Sequence, residues 1–316
     1  MKVLVTTPWV NRFLDQFQDE FPQVEFIRPE TPEELRDAAS DAEVAFGWVD
    51  SELFRAAPKL RWIQSPSAGV EWMRRTPDLL ESDVVVTNTR GAHAATIAEH
   101  TLGMLIFLAR GFASLYESQK RHEWQSPLHK QGVGLVGLHM GIVGLGNIGR
   151  AIAKRAAAFD MTISAVDAQP VARPDYVSDL HLLDGLDDLL ERSNVVVVTT
   201  PITPQSRGML GRDRLALLRP SAFLLVVSRG GIVDETALVD MLQTGRLAGA
   251  GLDVAQTEPL PPDSPLWDAP NILITPHCSP SSRQTTINVA RIMEENLHRY
   301  LAGEPLVNLV DKQLGY

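Results

Sequence analysis

Short apolar runs alternate with helical patterns along the whole chain. Within the first ninety residues, five runs have the length and apolar content of buried strands, namely Val3–Thr6, Val24–Ile27, Val44–Gly47, Trp62–Ser65 and Val84–Asn88. Helical spacing covers Trp9–Glu20, and a second helix is predicted to begin after Thr31, with Pro32 at its first position and Glu34 three residues after the cap. Strands that alternate with helices predict a parallel sheet with helices on both faces.

The same alternation resumes at Gly137 and predicts a second α/β segment. Six runs are predicted strands: Gly141–Gly144, Thr162–Val166, Val195–Thr199, Phe223–Val227, Gly249–Val254 and Ile272–Ile274. Helix Glu235–Thr244 is predicted to be capped by Asp234, and a last helix covers Arg283–Leu301. Six strands fit a two-halved nucleotide-binding sheet, in which the ligand lies in the crevice at the carboxyl ends of the strands.

Three other segments carry structural expectations. The stretch His93–Tyr116 is predicted to be a long helix that ends near Arg110–Gly111 or a little beyond. Because its apolar residues lie nearly all round, it is expected to be buried, within the protomer or in a subunit contact. Residues 123–128 are predicted to form a loop, and the short run Val307–Val310 can return to the first segment.

A glycine-rich turn joins the first strand and the first helix of the second segment. Gly144 allows the tight turn, Gly146 lets a pyrophosphate approach the backbone, and Gly149 lets the helix pack closely on the strand. Asp167 lies 18 residues after Gly149, where an acid accepts hydrogen bonds from the adenosine ribose. A carboxylate repels a 2′-phosphate, and no Arg or Lys follows before Arg173. The sequence therefore predicts NAD(H), with NADP(H) disfavoured, although a glycine turn by itself is also a common structural feature.

Composition narrows the classes of function. The chain carries a net charge of −10, which argues against nucleic acid or an anionic membrane as a partner. The apolar run Thr101–Ala109 is far too short to span a membrane, and Met1–Thr6 resembles a strand rather than a signal peptide, so a cytoplasmic location is expected. Cys278 is the only cysteine, which excludes an intrachain disulfide and a thiolate metal cluster. No metal site is predicted.

Four residues that follow predicted strands could carry chemistry: Arg229, Asp253, Glu258 and His277. Reduction of a keto acid places negative charge on the carbonyl oxygen, and a positioned acid must then supply a proton. Histidine suits that role near neutral pH, especially beside a carboxylate. An arginine can bind the substrate carboxylate through two parallel hydrogen bonds. Taken singly, each of the four also fits a structural role, as a surface ion pair, a loop cap, a loop acid or a turn histidine.

Together with several motifs, these residues identify a family resemblance. The matching stretches are Ala98–Thr101, Gly144–Gly149, Pro201–Gly208, Ser228–Glu235, Gly251–Val254, Glu258–Pro261 and Thr275–His277. They occur in the same order as in the D-isomer-specific 2-hydroxyacid dehydrogenases and extend over the chain from about Ser65 to Leu301. The chain therefore resembles that family, which includes glyoxylate/hydroxypyruvate reductases, D-lactate dehydrogenases and phosphoglycerate dehydrogenase. The resemblance implies reduction of a small 2-keto acid to a D-2-hydroxy acid.

The resemblance implies a role for each matching position. His277 would exchange the proton with the substrate oxygen, Glu258 would orient it, and Arg229 would bind the substrate carboxylate and carbonyl oxygen. Asp253 would contact the nicotinamide carboxamide, and Asp167 the adenosine ribose. The other cofactor contacts would come from Thr96, Gly144, Gly146, Asn147, Ile148, Gly149, Thr199, Thr200, Pro201, Thr203, Val227 and Ser228. The backbone amides that hold the substrate carboxylate would be those of Ala68, Gly69 and Val70.

The resemblance also implies a domain organisation. The expected fold is α/β, with two doubly wound parallel-sheet domains, a Rossmann NAD-binding domain being inserted into a flavodoxin-like substrate domain. Residues 93–283 would form the dinucleotide-binding domain, and residues 1–92 and 284–316 the discontinuous substrate domain. The helix that begins at His93 would belong to the nucleotide side. A homodimer is expected, both from the family and from the apolar character of that helix.

Several positions depart from the family pattern. Glu71 stands where an aspartate is common, and Asp160 stands where a glycine usually follows a helix, a position that Asp tolerates through its left-handed conformation. Cys278 follows the catalytic histidine in place of the usual small residue, and it is interpreted as a buried small side chain, since hydride transfer needs no thiolate. Trp48 and Met73 could line the substrate pocket, but core packing is the preferred interpretation.

Two other functions remain open from the sequence. Formate and phosphite dehydrogenases share the fold and also use an arginine and a histidine, but the formate branch carries glutamine where Glu258 stands. NAD(H)-sensing transcriptional corepressors are a non-enzymatic branch of the same fold and can retain the trio of Arg229, Glu258 and His277. Turnover of any 2-keto acid would separate the enzyme from the corepressor.

Overall fold

The chain divides into two compact units. The computed structural model describes residues 1–124 and 132–313, so part of the predicted loop 123–128 and the end of the chain lie outside the described residues. One unit consists of Met1–His93 with Ser282–Tyr316, and the other of Ala94–Ser281. The second unit is thus a continuous stretch of chain inserted between the two segments of the first.

Twelve strands occur in the described residues. Those of the first unit are β1 (Lys2–Val5), β2 (Glu25–Ile27), β3 (Val44–Phe46), β4 (Trp62–Gln64) and β5 (Val85–Thr87). Those of the second unit are β6 (His139–Val143), β7 (Thr162–Asp167), β8 (Asp179–Leu182), β9 (Val195–Val198), β10 (Phe223–Val226), β11 (Gly249–Leu252) and β12 (Ile272–Ile274). Eleven of these strands were predicted, with bounds that agree to within two residues. The exception is β8.

The α-helices in the same described residues include two whose first turns are capped by side chains identified in the sequence. They are α1 (Asn11–Glu20), α2 (Pro32–Ala39), α3 (Ser51–Ala56), α4 (Pro77–Leu80), α5 (Ala94–Ala109), α6 (Phe112–Lys120), α7 (Asn147–Ala157), α8 (Leu186–Arg192), α9 (Arg212–Leu215), α10 (Glu235–Gln243) and α11 (Arg283–Ala302). The Thr31 hydroxyl caps α2 by accepting from the Glu34 N–H, and the Asp234 carboxylate caps α10 by accepting from the Ala237 N–H. Both starts were predicted.

Every strand pair in the two sheets is parallel. The first sheet has the order β2-β1-β3-β4-β5, which is the flavodoxin-like doubly wound order. The second has the order β8-β7-β6-β9-β10-β11-β12, in which the first six strands reproduce the Rossmann arrangement. The predicted fold class of two doubly wound α/β domains, one inserted into the other, is confirmed.

Burial on both faces explains why the central strands of the second sheet are so apolar. Successive side chains of a strand point to opposite faces. Accordingly, Val196 and Val198 of β9 pack into one buried cluster, while Val195 and Val197 pack into another. Each of these four side chains is fully buried, and burial stabilises the fold by about 2 kcal/mol per valine. A parallel sheet covered on both faces by helices requires such unbroken apolar runs.

The C-terminal helix α11 is bound to the first sheet through buried polar side chains. The Asn296 Nδ2 donates to the Gln64 Oε1 at 2.8 Å, and the same oxygen accepts from the Thr87 Oγ1 at 2.8 Å. All three side chains are fully buried, so the loss of one partner would leave an unpaired polar group. Beyond the helix, the segment Val307–Val310 returns to β5, where Leu309 forms an antiparallel bridge with Thr87.

Two burial expectations are corrected. The helix predicted over His93–Tyr116 breaks at Gly111, whose φ of 60° is left-handed, and the following helix α6 exposes Phe112 and Tyr116. Core packing is correct for Met73, which is 1 % exposed, and wrong for Trp48, which is 42 % exposed. Trp48 follows Gly47, at a φ of 135°, where the chain turns away from the end of β3.

His139 makes the stability of the second unit depend on pH. Its ring is half-buried at the start of β6, where Nε2 lies 2.8 Å from the Ser164 Oγ and Nδ1 lies 3.2 Å from the Arg192 carbonyl oxygen. Burial lowers the pKa of His139 below its ordinary value of 6.5. The unfolded chain therefore binds a proton at a higher pH than the folded chain does. The stabilisation is complete above pH 6.5 and is lost as the pH falls toward the folded pKa.

We expect His139→Gln to flatten this part of the pH dependence. Urea unfolding of the wild type should give a lower free energy of unfolding at about pH 5.5 than at about pH 7.5, and the difference should shrink in the variant. The exposed His122 supplies a matched control, because His122→Asn should leave the difference unchanged. An equal pH dependence in wild type and His139→Gln would contradict the assignment.

Candidate active site

The predicted cofactor and catalytic residues of the second unit lie at one edge of its sheet, apart from Thr96 in the first turn of α5. The glycine turn follows β6, and Asp167 ends β7. Thr199, Thr200, Pro201 and Thr203 follow β9, and Val227, Ser228 and Arg229 follow β10. Asp253 and Glu258 follow β11, and His277 follows β12. Because carboxyl ends of parallel strands share an edge, the sheet brings these segments together.

Two of the three glycines of the turn after β6 have a geometric reason to be glycine, and the third leaves open space. Gly144 has a φ of 100°, which other residues rarely adopt. A Cβ on Gly149 would lie 2.1 Å from the Gly144 carbonyl oxygen, so the helix α7 could not approach the turn as closely with any side chain there. A Cβ on Gly146 would meet no atom within 4 Å. The open side of Gly146 leaves room for a bound group to approach the backbone.

The start of α7 offers unpaired hydrogen-bond donors. No side chain caps this helix, and its first turn contains no acidic residue. Among the described residues, the N–H groups of Gly146, Asn147, Ile148 and Gly149 have no acceptor. Backbone N–H groups and the positive end of the helix dipole attract anions, and phosphate is the usual ligand at such a turn.

The carboxylate of Asp167 is held beside this turn by two backbone N–H groups. Its Oδ2 accepts from the Leu145 N at 2.7 Å, and its Oδ1 accepts from the Gln169 N at 3.0 Å. The two nearby arginines point to other acceptors. Arg150 donates to the Ala172 carbonyl oxygen, and Arg173 donates to two carbonyl oxygens further along.

Two buried hydroxyls near the turn lack partners. The Thr199 Oγ1 donates to the Gly144 carbonyl oxygen at 2.6 Å, which ties the loop after β9 to the turn. The Thr200 Oγ1 and the Ser228 Oγ are both buried and have no hydrogen-bond partner in the part of the chain that is described. A buried hydroxyl without a partner is unfavourable, so such groups indicate a ligand that supplies one. The open glycine, the free N–H groups and these hydroxyls together fit a dinucleotide.

His277 and Glu258 form a close histidine–carboxylate pair at this edge of the sheet. The His277 Nδ1 lies 2.8 Å from the Glu258 Oε2, and the Glu258 Oε1 accepts from the Ala255 N at 3.0 Å. Both side chains are more than a third exposed. Glu258 accepts at Nδ1, which leaves Nε2 without a hydrogen bond to any described residue. The pair can present one ring nitrogen to a substrate while the carboxylate stabilises the protonated ring.

Asp253 fixes the loop that carries His277. Its carboxylate is fully buried, and its Oδ1 accepts from the Thr275 Oγ1 at 2.6 Å and from the Cys278 N at 3.0 Å. Both oxygens also accept from the Ser279 N. The backbone N–H of His277 donates to the Asp253 carbonyl oxygen at 2.8 Å. His277 has a φ of 50°, and these bonds hold it in that uncommon conformation.

The Asp253 side chain belongs to a small network that includes His100, a residue not assigned a role from the sequence. The His100 Nε2 lies 3.0 Å from the Thr275 Oγ1, whose hydroxyl in turn reaches Asp253. His100, Asp253 and Cys278 offer ligand atoms within 4.8 Å of one another. Burial and the Asp253 charge raise the pKa of the Cys278 thiol, so it stays protonated. Through Thr275, His100 is thus connected to the carboxylate that holds the His277 loop.

In the first unit, the loop after β4 has the donor pattern of an anion site. The carbonyl oxygens of Ala68, Gly69 and Val70 accept from the Asn88 Nδ2, the Ser67 Oγ and the Met73 N, respectively. The N–H groups of the same three residues donate to no atom of the described chain. Consecutive unpaired N–H groups form a concave donor surface suited to a carboxylate.

The comparisons with known proteins agree with this geometry. Residues 102–279 match the family model of the NAD-binding domain of D-isomer specific 2-hydroxyacid dehydrogenase. A glyoxylate reductase of Korarchaeum cryptofilum is 32 % identical over 324 residues, which cover 99 % of this chain and 96 % of the relative. A D-3-phosphoglycerate dehydrogenase of Methanocaldococcus jannaschii is 31 % identical over 98 % of this chain, which spans 59 % of that longer protein.

A solved structure extends the similarity to the whole chain. It is the NADPH-dependent glyoxylate/hydroxypyruvate reductase of Sinorhizobium meliloti, in complex with NADP and sulfate. The TM-score is 0.85 at 27 % identity, and the match covers 100 % of this chain and 99 % of the solved one. From the family match, the full-length relative and the shared two-domain fold, we conclude that the chain belongs to the D-isomer-specific 2-hydroxyacid dehydrogenase family.

Proposed function

We propose that this oxidoreductase reduces small 2-keto acids, such as glyoxylate or hydroxypyruvate, to D-2-hydroxy acids with NADH. Residues 93–283 would form the cofactor domain, and residues 1–92 with 284–316 the substrate domain. The observation that carries the proposal is the His277–Glu258 pair, 2.8 Å apart, at the edge of the sheet where the glycine turn lies. A histidine so oriented supplies the proton that reduction of a carbonyl requires.

Residues of this chain would supply the proton for the carbonyl oxygen and stabilise the charged histidine that donates it. The nicotinamide cofactor, when bound, supplies the hydride that goes to C2 of the keto acid. As negative charge develops on the carbonyl oxygen, the protonated His277 donates its Nε2 proton to that oxygen. The Glu258 carboxylate holds the ring at Nδ1 and favours the charged imidazolium before transfer. In the reverse direction, neutral His277 accepts the proton of the hydroxyl.

Two groups of donors would bind the substrate. Arg229 follows β10 and can bind the carboxylate and the carbonyl oxygen with its planar guanidinium. The unpaired N–H groups of Ala68, Gly69 and Val70 would complete the carboxylate site. Since these donors recognise only the carboxylate and carbonyl that all 2-keto acids share, they select the class of substrate rather than one member. The predicted contact between Asp253 and the carboxamide remains part of the proposal.

The preference for NADH rests on Asp167. Its carboxylate lies at the end of β7, beside the glycine turn, where it would accept from the ribose hydroxyls and repel a 2′-phosphate. Arg150 and Arg173 donate to backbone carbonyl oxygens instead of facing this position. The S. meliloti relative is NADPH-dependent, so family membership does not decide the cofactor and the role of Asp167 must be tested directly.

We also expect a homodimer, which would cover exposed aromatic side chains on and after α6. Phe112, Tyr116 and Trp124 are 44 %, 57 % and 104 % exposed, respectively. Aromatic side chains are enriched at protein interfaces, where they bury much apolar area. Analytical ultracentrifugation should show twice the mass of the chain, and Tyr116→Glu should shift the protein toward the monomer. A monomeric wild type at micromolar concentration would contradict this expectation.

We expect His277→Asn to lower kcat for reduction of the best keto acid by a factor of about 100 to 10,000, because the proton donor is lost. Arg229→Ala should raise KM and lower kcat, since the carboxylate and the developing oxyanion lose the same partner. NADH oxidation on a panel from glyoxylate to phenylpyruvate measures both. Circular dichroism should be unchanged, and the exposed His181 offers a control through His181→Asn. A full-rate His277→Asn enzyme would refute the mechanism.

The same panel separates the proposal from its rivals. Formate and phosphite are included with NAD, and oxidation of either would indicate that branch of the fold. No turnover of any compound, combined with tight NADH binding, would favour a corepressor-like role.

We expect Asp167→Ser to lower the ratio of kcat/KM for NADH over NADPH by about tenfold or more, because it removes the charge that repels the 2′-phosphate. The exposed Asp175 in the following segment supplies the control, since Asp175→Ser should leave the ratio unchanged. A wild type that already prefers NADPH would show that the position of Asp167 does not decide the cofactor.

A further inference from the structure

Glu258 itself needs support, because it lies on an exposed loop between β11 and β12. The loop is bound to a second segment, the start of α10, through Glu235. The Glu235 Oε1 accepts from the Gln256 N at 2.6 Å, two residues before Glu258. Glu258 in turn accepts from the Ala255 N at 3.0 Å. The consecutive N–H groups of Ala255 and Gln256 thus donate to two different carboxylates, those of Glu258 and Glu235.

Gly230 brings the turn after β10 into direct contact with the same loop. A Cβ on Gly230 would lie 1.9 Å from the Ala255 carbonyl oxygen and 2.5 Å from the Gln256 N. The turn after β10, which carries Arg229, therefore packs against the backbone of the Glu258 loop with no space for a side chain. The Arg229 turn and the Glu258 loop are held as one piece, through backbone contact at Gly230 and a hydrogen bond at Glu235.

Glu235 is held in place by more than one constraint. It is half-buried and occupies the first position of α10, next to the capping residue Asp234. Burial raises the pKa of Glu235, and the neighbouring Glu258 charge raises it further. Glu235 is therefore a partly buried acid whose carboxylate is bound to the loop that carries Glu258.

We propose that Glu235 is a positioning residue for the reaction: by binding the Gln256 N–H it orients Glu258 and so sets the proton affinity of His277. The inference rests on the proposed function for its kinetic consequence, but not for the contact itself. Three other ionisable groups of the described residues lie close to the His277 loop: Asp253, whose carbonyl oxygen accepts from the His277 N, the adjacent Cys278 thiol, and His100, 3.7 Å from the Asp253 Oδ1. The variants below change none of them. The test therefore varies Glu235 and leaves Glu258 in place.

Two variants separate the hydrogen bond from the charge. Glu235→Ala removes the acceptor, which should let Glu258 move away from the His277 Nδ1. The imidazolium would then lose stabilisation, so the His277 pKa should fall by about half a unit or more. Glu235→Gln keeps an acceptor oxygen and should restore most of the wild-type value. Asp240→Ala is the matched control, because Asp240 lies on the same helix and pairs with Arg212 at the surface.

The first readout needs no substrate. Histidine labelled at Cε1 is incorporated into the wild type and the variants, the His277 resonance is assigned by its loss in His277→Asn, and its titration is followed by NMR. A lower His277 pKa in Glu235→Ala, recovered in Glu235→Gln and absent in Asp240→Ala, is the expected result. An unchanged His277 titration in Glu235→Ala would overturn the inference, whatever its effect on thermal stability.

The second readout is the pH profile of kcat/KM for keto acid reduction. Reduction needs protonated His277, so its alkaline limb should move to lower pH in Glu235→Ala, and a shift of half a unit lowers kcat/KM by about threefold on that limb. A limb that stays in place while activity falls uniformly would indicate a purely structural role. If the wild type reduces no keto acid, the proposed function fails, and the NMR titration still decides the role of Glu235.

Discussion

The structure depends on one constraint, the burial of both faces of two parallel sheets. Strands such as β9 and β10 bury every side chain, as parallel strands do when helices cross over on both sides of the sheet. Within the second sheet, the shared direction places every carboxyl end at the same edge. The glycine turn, Asp167, Arg229, Asp253 and His277 come from far-apart parts of the sequence, and the sheet places them all along that edge.

Backbone groups do much of the chemical preparation at that edge. The unpaired N–H groups at the start of α7 are suited to bind an anion, while other N–H groups of the second unit hold its carboxylates in place. Asp167, Asp253, Glu235 and Glu258 each accept at least one backbone N–H. Since such bonds stabilise the charged form and restrict its orientation, the loops hold their acids in defined positions before any ligand arrives.

Much of the fold was predictable because periodicity reports burial. The apolar runs located eleven strands, and the caps at Thr31 and Asp234 located two helix starts. The strand β8 was missed because it lies at the edge of the sheet and none of its four residues is buried. Trp48 was misread because exposure of a large aromatic leaves no periodic signal. Asp160 has a φ of 58°, as its position after α7 led us to expect.

The site was predictable in its members but not in its connections. The strand ends and the motifs named Arg229, Glu258 and His277, yet the roles of Glu235, Gly230 and His100 come from contacts between segments distant in sequence. Hydrogen bonds between loops leave no periodic pattern in the sequence, so they become visible only in the folded structure. The same holds for Thr200 and Ser228, whose unpartnered hydroxyls only the folded chain shows.

The unpartnered hydroxyls of Thr200 and Ser228 determine how a ligand that pairs with them would change the stability of the folded chain. A buried polar group without a partner destabilises a fold by about 1–3 kcal/mol, so a ligand that pairs with both hydroxyls makes opening at this edge less favourable. A ligand that binds only the folded chain shifts the equilibrium away from open forms by mass action. Proteases act on open forms. Resistance of the chain to proteolysis is therefore coupled to a ligand that pairs with Thr200 and Ser228.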